Sequence, residues 1–270
     1  ACPMSIRERI TKRRDQRSGV RVSRKARRIE RLSDPRVEQW IDAYWRTGDI
    51  NLDELDGAIL KIAEGVDYLN ADRADWARAQ IATAKAGGKP WQYYGFGRPD
   101  LRWRAADGAA EAEDMIASIE LLGAPSLQYY ADGSKGCVWI DLEKDCSASK
   151  ESIREWLFAW FDTIEAAGYP AGIYTSGKWL AENVGDDAGT MLRVFTRDDG
   201  SFRPLWAARY GDSPTAYPPD LVKYPISVKC PNWYLLNRSP GPVVAQWTSS
   251  RQEGGTVNGK GHDSNLVYLR

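Results

Sequence analysis

Between residues 37 and 175 the chain repeats one pattern: a short apolar run, a polar segment, and another short apolar run. The runs are Trp40–Tyr44, Ala58–Ala63, Trp91–Phe96, Cys137–Glu143 and Ala171–Thr175. They are too short for buried helices and apolar enough for strands covered on both faces. The segments 72–87, 105–122 and 147–168 carry helical spacing. In the last of these, Ser147 and Ser149 can cap, and Ile153, Trp156, Leu157, Trp160, Phe161 and Ile164 make one face. Strand–helix–strand repetition of this kind predicts a parallel sheet with right-handed crossovers, an α/β fold. After residue 190 the rhythm changes. Leu205–Tyr210 and Val243–Trp247 read as strands, and the proline-rich stretch 214–242 between them reads as a surface excursion.

Composition narrows the chemistry. With 43% apolar and 27% charged residues the chain is not a disordered one. No run approaches the ~18 apolar residues of a membrane span. The one histidine, His262, excludes any zinc site built on two or three histidines and leaves a Ser-His-Asp triad only that residue as base. Cys2, Cys137, Cys146 and Cys230 form no CxxC pair. Cys137 and Cys146 are near enough in sequence to bridge, but four reduced thiols is the favoured reading. No Gly-rich phosphate loop occurs, and no cofactor or metal is expected.

The formal net charge of zero conceals two parts. Residues 1–36 hold thirteen basic and four acidic groups, a charge of +9, so residues 37–270 carry −9. The basic arm has no apolar h-region and is not a secretory signal as written. Such an arm suits polyanions or docking to a protein surface. Nucleic acid is not the expected partner, because the larger part of the chain is acidic.

The segment Val138–Asp145 contains Asp141 and Glu143, two carboxylates on one face of a strand, with Cα atoms about 6.6 Å apart. They fall at the C-terminal end of an apolar strand, where a parallel barrel keeps its active site. Neighbouring carboxylates cannot both ionise freely, so one becomes a proton donor beside a charged partner, as glycosidic cleavage requires. A magnesium site or two solvated residues fit the same pattern. Asp42 closes the first strand and Asp263 precedes the last apolar run, so four carboxylates would converge on one mouth. Twelve tryptophans and thirteen tyrosines offer flat faces for sugar rings, although most are expected in the core.

These motifs, in order, resemble the family-25 glycoside hydrolases, the Chalaropsis-type lysozymes. The matching segments are Trp40-Ile41-Asp42-Ala43-Tyr44 with Gly48-Asp49-Ile50-Asn51; Lys61-Ile62-Ala63-Glu64-Gly65; Tyr94-Gly95-Phe96; and Asp141-Leu142-Glu143. Further along they are Gly172-Ile173-Tyr174-Thr175-Ser176; Leu205-Trp206-Ala207-Ala208-Arg209-Tyr210; and Gln246-Trp247 with Asp263-Ser264-Asn265. The resemblance implies an irregular TIM-like barrel over residues 37–270, about five β/α units followed by three strands partly antiparallel, with residues 1–36 as an appended arm. It implies hydrolysis of the β-1,4 bond between N-acetylmuramic acid and N-acetylglucosamine in peptidoglycan. Glu143 would be the general acid/base, Asp141 would assist the substrate's 2-acetamido group, and Asp42 and Asp263 would complete the catalytic set. Glu64, Tyr94, Tyr174, Trp206, Tyr210, Gln246 and Trp247 would contact the glycan.

A wall enzyme of this type suggests a bacteriophage product, acting in lysis or carried in the virion. The arm would then meet phage structural proteins or anionic wall polymers. Trp40 and Tyr44 stand where the family has small residues, and Gly95 where it has histidine. The bulky neighbours of Asp42 motivate an alternative, a catalytically silent structural or glycan-binding virion component on the same barrel.

Overall fold

The computed structural model describes residues 37–53, 55–100, 106–126, 136–185, 187–201, 203–208, 244–248, 256–257, 260–261 and 263–268. The arm, the stretch 214–242, Tyr210, His262, Cys2 and Cys230 lie outside the described residues. The chain divides into two units between Val37 and Glu38, and the second holds the sheet and its helices.

The strands are β1 (Val37–Ala43), β2 (Gly57–Glu64), β3 (Trp91–Phe96), β4 (Val138–Leu142), β5 (Ala171–Thr175), β6 (Leu205–Ala208), β7 (Val244–Thr248), β8 (Thr256–Val257), β9 (Lys260–Gly261) and β10 (Asp263–Tyr268). The sheet closes in the order β1-β10-β7-β6-β5-β4-β3-β2, while β8 and β9 form a separate two-stranded ribbon. Neighbours from β1 round to β7 pair in parallel. β10 runs antiparallel to β7. The sequence expectation of a parallel α/β sheet with an antiparallel element near its end is met in this form.

The α-helices follow β2 to β5: α1 (Ala71–Ala86), α2 (Gly108–Leu122), α3 (Lys150–Ala166), and then α4 (Gly177–Asn183) and α5 (Ala188–Phe195). β1 leads instead into a 3-10 turn, Trp45–Thr47. Caps explain the starts. Asn70, Asp107, Ser149, Ser176 and Asp187 each accept a backbone N–H from three residues on. Of the two serines open to the α3 cap, Ser149 takes the position. The buried face of α3 is the six-residue stripe that its spacing predicts. α4 and α5, at seven and eight residues, are too short to give a clear period and have no counterpart in the sequence reading.

Two apolar clusters result. The larger lies between the sheet and its helices, around Ile41, Leu60, Ile140, Ile173, Trp160 and Phe161. The second fills the barrel with Trp40, Ile59, Tyr94, Cys137, Trp139, Tyr174, Trp206 and Val267. The two-residue strand period sorts them: Ile41 faces the helices while Trp40 and Asp42 face the barrel. The interior rings need room. A Cβ on Gly172 would lie 2.6 Å from Trp139, so the residue paired with that tryptophan has to be glycine. Gly108 does the same between helices, where a Cβ would meet the Trp156 carbonyl oxygen at 1.8 Å. Cys137 and Cys146 are thiols and are not joined to one another.

Candidate active site

Because β1 to β7 run in parallel, their C-terminal ends share one rim, and Asp42, Glu64, Asp141 and Glu143 stand there. Asp42 is the penultimate residue of β1, Glu64 the last of β2, and Asp141 the penultimate of β4. Glu143 follows β4 directly and is exposed, whereas Asp141 is 6% exposed. Burial, more than anything else, pushes the Asp141 carboxyl well above the usual carboxylate range. The charges of Glu143, Asp42 and Glu64 push the same way, and Lys61 opposes them. Asp141 Oδ1 is buried without a hydrogen-bond partner among the described residues.

A polar chain crosses the barrel beside this pair. Trp206 Nε1 donates to Asn265 Oδ1 at 2.8 Å. An indole can only donate, so it fixes the orientation of the Asn265 amide. Nδ2 is thereby turned to Asp42 Oδ1, also at 2.8 Å. Gln246 repeats the arrangement from β7. Its Oε1 accepts from Tyr174 Oη, and its Nε2 lies 3.5 Å from Asp42 Oδ1. Tyr174 Oη also stands 3.5 Å from Glu143 Oε2. Asp42 and Glu143 are thus linked through Gln246 and Tyr174, with Asn265 and Trp206 holding the far end.

The other expected contacts divide. Tyr94 and Tyr174 pack against Trp206, with ring centroids 5.8 Å and 4.5 Å apart. Trp206 is 2% exposed, so it forms the floor beneath Tyr174 and holds Asn265 instead of presenting a face to an open groove. The carboxylate of Glu64 is occupied by Lys61 Nζ at 2.7 Å and by Arg98. Burial draws its pKa up, but those two cations outweigh it and hold the group below its ordinary value. Asp263 opens β10 and Trp247 lies in β7, but their side chains, like Tyr210, lie outside the described residues. Trp40, expected to crowd Asp42, is wholly buried in the barrel with its indole donating to Glu38 at 2.7 Å. The sequence reading missed Asn265 and Lys61 as site residues, although both fall within its quoted motifs. Their signal was position: each stands on a barrel-facing strand place occupied by a polar side chain. Among the described residues no group of three or more potential ligands is placed to hold a metal ion.

Three comparisons bear on this geometry. The sequence model of the glycosyl hydrolases family 25 matches residues 39–251. No curated protein sequence matches the chain. Among solved structures, the modular Cpl-1 endolysin complexed with a peptidoglycan analogue superposes with a TM-score of 0.51 at 20% identity, over 87% of this chain and 55% of that one. The catalytic domain of endolysin ply40 from bacteriophage P40 of Listeria monocytogenes gives 0.52 at 12% identity, over 88% and 95%. A multimodular pneumococcal cell wall endolysin from phage Cp-1, complexed with choline, gives 0.50 at 22% identity, over 86% and 54%. The chain therefore spans about half the length of two of these relatives and nearly all of the third. At these identities the likeness concerns the fold.

Proposed function

The chain belongs to the glycosyl hydrolases of family 25, and on that premise we propose that it hydrolyses peptidoglycan, cutting the β-1,4 bond between N-acetylmuramic acid and N-acetylglucosamine. One observation carries the reading. A buried, proton-retaining carboxyl, Asp141, stands two residues from an exposed one, Glu143, at the rim of the barrel. That is the pairing an acid-assisted glycosidic cleavage needs.

Each group then has a task. Glu143 reaches solvent and the leaving-group oxygen, and acts as general acid and then as general base. The Tyr174 hydroxyl lies within reach of both Gln246 Oε1 and Glu143 Oε2, and so ties the acid to the Gln246–Asp42 chain. The orphaned Asp141 Oδ1 is a buried acceptor that costs about 1–3 kcal/mol while unmet. The N–H of a 2-acetamido group would satisfy it and orient the acetamide oxygen toward the anomeric carbon as internal nucleophile. That contact sets Asp141 beside the positive charge developing on the ring. Asp42 is held by two amides and fixes the pair from the far side, with Asp263 assigned to the same set by its motif.

Release of the bound sugar by water restores the proton to Glu143, with overall retention. The setting we propose is bacteriophage lysis or virion-associated wall degradation. Purified protein should clear a suspension of bacterial walls, and Glu143→Gln should not. Wild-type protein that leaves walls of several chemotypes intact would overturn the proposal.

A further inference from the structure

Resting on the hydrolase reading, we infer that the turn after β1 carries a second binding site, formed by Trp45, Arg46 and Arg73, which takes a carboxylate of the peptide stem borne by the muramic sugar.

The turn is well placed for this. Trp45 lies three residues beyond Asp42, so at most about 10 Å of chain separates it from the reacting pair's surroundings. Four large apolar side chains are exposed among the described residues, and two of them, Tyr44 and Trp45, are adjacent here. Isolated exposed rings need no explanation, but a neighbouring pair at the mouth of a site invites one.

The turn is also built, not loose. Thr47 binds the Tyr44 carbonyl through its N–H at 2.9 Å and its hydroxyl at 2.6 Å. From α1, Trp76 Nε1 donates to Gly48 O at 3.0 Å, and Gln80 accepts from Ile50 N at 3.0 Å and donates to Asp49 at 3.1 Å. Arg73 lies on the same face of α1, one turn before Trp76. These bonds set two cations around one indole. The Arg46 guanidinium stands 5.2 Å from the Trp45 ring, and that of Arg73 stands 5.4 Å from it and 4.2 Å from Tyr68.

Charge points the same way. Arg78, Arg98, Arg197 and Arg203 each pair with a carboxylate, whereas Arg46 and Arg73, like the remote Arg154 and Arg193, have none among the described residues. Arg73 spends one nitrogen on the Tyr68 carbonyl, and its Nε is buried with no partner among the described residues. The acids nearest in sequence are Asp72, which is exposed, and Asp49, which accepts from Gln80. Residues 37–270 carry −9, so two uncompensated guanidinium groups beside the site oppose the prevailing charge. A glycan strand is neutral along its sugars. Its anionic groups are the carboxylates of the stems, and a guanidinium is suited to bind a carboxylate with two parallel bonds.

The test compares two stem-bearing glycan strands of matched length, one with free stem carboxylates and one with those carboxylates converted to amides. Wild-type protein should favour the strand with free stem carboxylates in kcat/KM. Arg46→Glu should lower that preference by about fivefold or more, through KM, consistent with losing a partly exposed ion pair of about 1 kcal/mol. Arg73→Gln should act in the same direction, and raised salt should shrink the difference. Arg46 is exposed and stacks on the Trp45 ring at the surface, so its variant should melt like wild type. A well-folded Arg46→Glu with unchanged preference, or with equal losses on both strands, overturns the inference alone. Wild-type protein that cleaves neither strand overturns the hydrolase reading and this inference with it.

Discussion

Glu111 offers a quantitative test of how the rim is held together. It lies in the first turn of α2, is 3% exposed, and accepts Arg98 N at 3.1 Å and Ala106 N at 3.3 Å. One carboxyl thus ties both ends of the segment that leads from β3 to α2. Burial raises its pKa from 4.5 to about 8, and the two backbone N–H groups only partly offset this. The sign follows from proton counting. Between pH 4.5 and 8 the unfolded chain has released this proton and the folded chain keeps it, so stability falls as pH rises and levels off above about 8. At 1.36 kcal/mol per pH unit, the full fall assignable to Glu111 is about 5 kcal/mol. Glu111→Gln removes it. The amide offers one acceptor where the carboxyl offers two, so at about pH 4.5 the variant should be less stable than wild type by about 1–3 kcal/mol. By about pH 8.5 it should be the more stable of the two, and the curves should cross. Urea unfolding of both proteins at half-unit steps measures this, since other titrating groups cancel in the difference. Parallel curves over the whole range would refute the reasoning.

Further outcomes follow from other contacts. Asp141→Asn should abolish wall cleavage. Its stability relative to wild type should also improve as pH rises above the ordinary carboxylate range, because the native state then no longer buries an acid reluctant to ionise; thermal melts at about pH 4 and 7 check this. Asn265→Leu strands the Trp206 indole and removes a donor from Asp42, and should cost about 1–3 kcal/mol in urea unfolding together with a fall in kcat. Gly108→Ala puts a methyl against the Trp156 carbonyl and forces α2 and α3 apart, costing at least about 1–3 kcal/mol with little change in the site.

The parts of the molecule legible in the sequence are those whose period is long or whose chemistry is compact. α3 could be read residue by residue because six apolar side chains recur along one face. β3 and β5 begin and end where their apolar runs do. Asp141 and Glu143 were visible as a closely spaced pair at the end of an apolar run, although β4 stops at Leu142 and leaves only Asp141 on the strand. The rest depended on partners remote in sequence. Asn265 becomes a site residue only because it meets Asp42 across more than two hundred residues. Glu111 reads as an ordinary acid in a helix's first turn, and only the packing of the β3–α2 segment buries it. Trp206 reads as a sugar platform until Tyr94, Tyr174 and Trp139 close over it. The β1 turn gave no signal because Arg46 and Arg73, which comes from α1, meet around the Trp45 ring only in the folded chain.

The most direct test of the account is mass analysis of the fragments released from defined bacterial walls by wild-type protein and by Glu143→Gln. The account predicts muropeptides with N-acetylmuramic acid at the reducing end from the wild type, and none from a variant that still folds. Fragments ending in N-acetylglucosamine, or equal release by the variant, would contradict it.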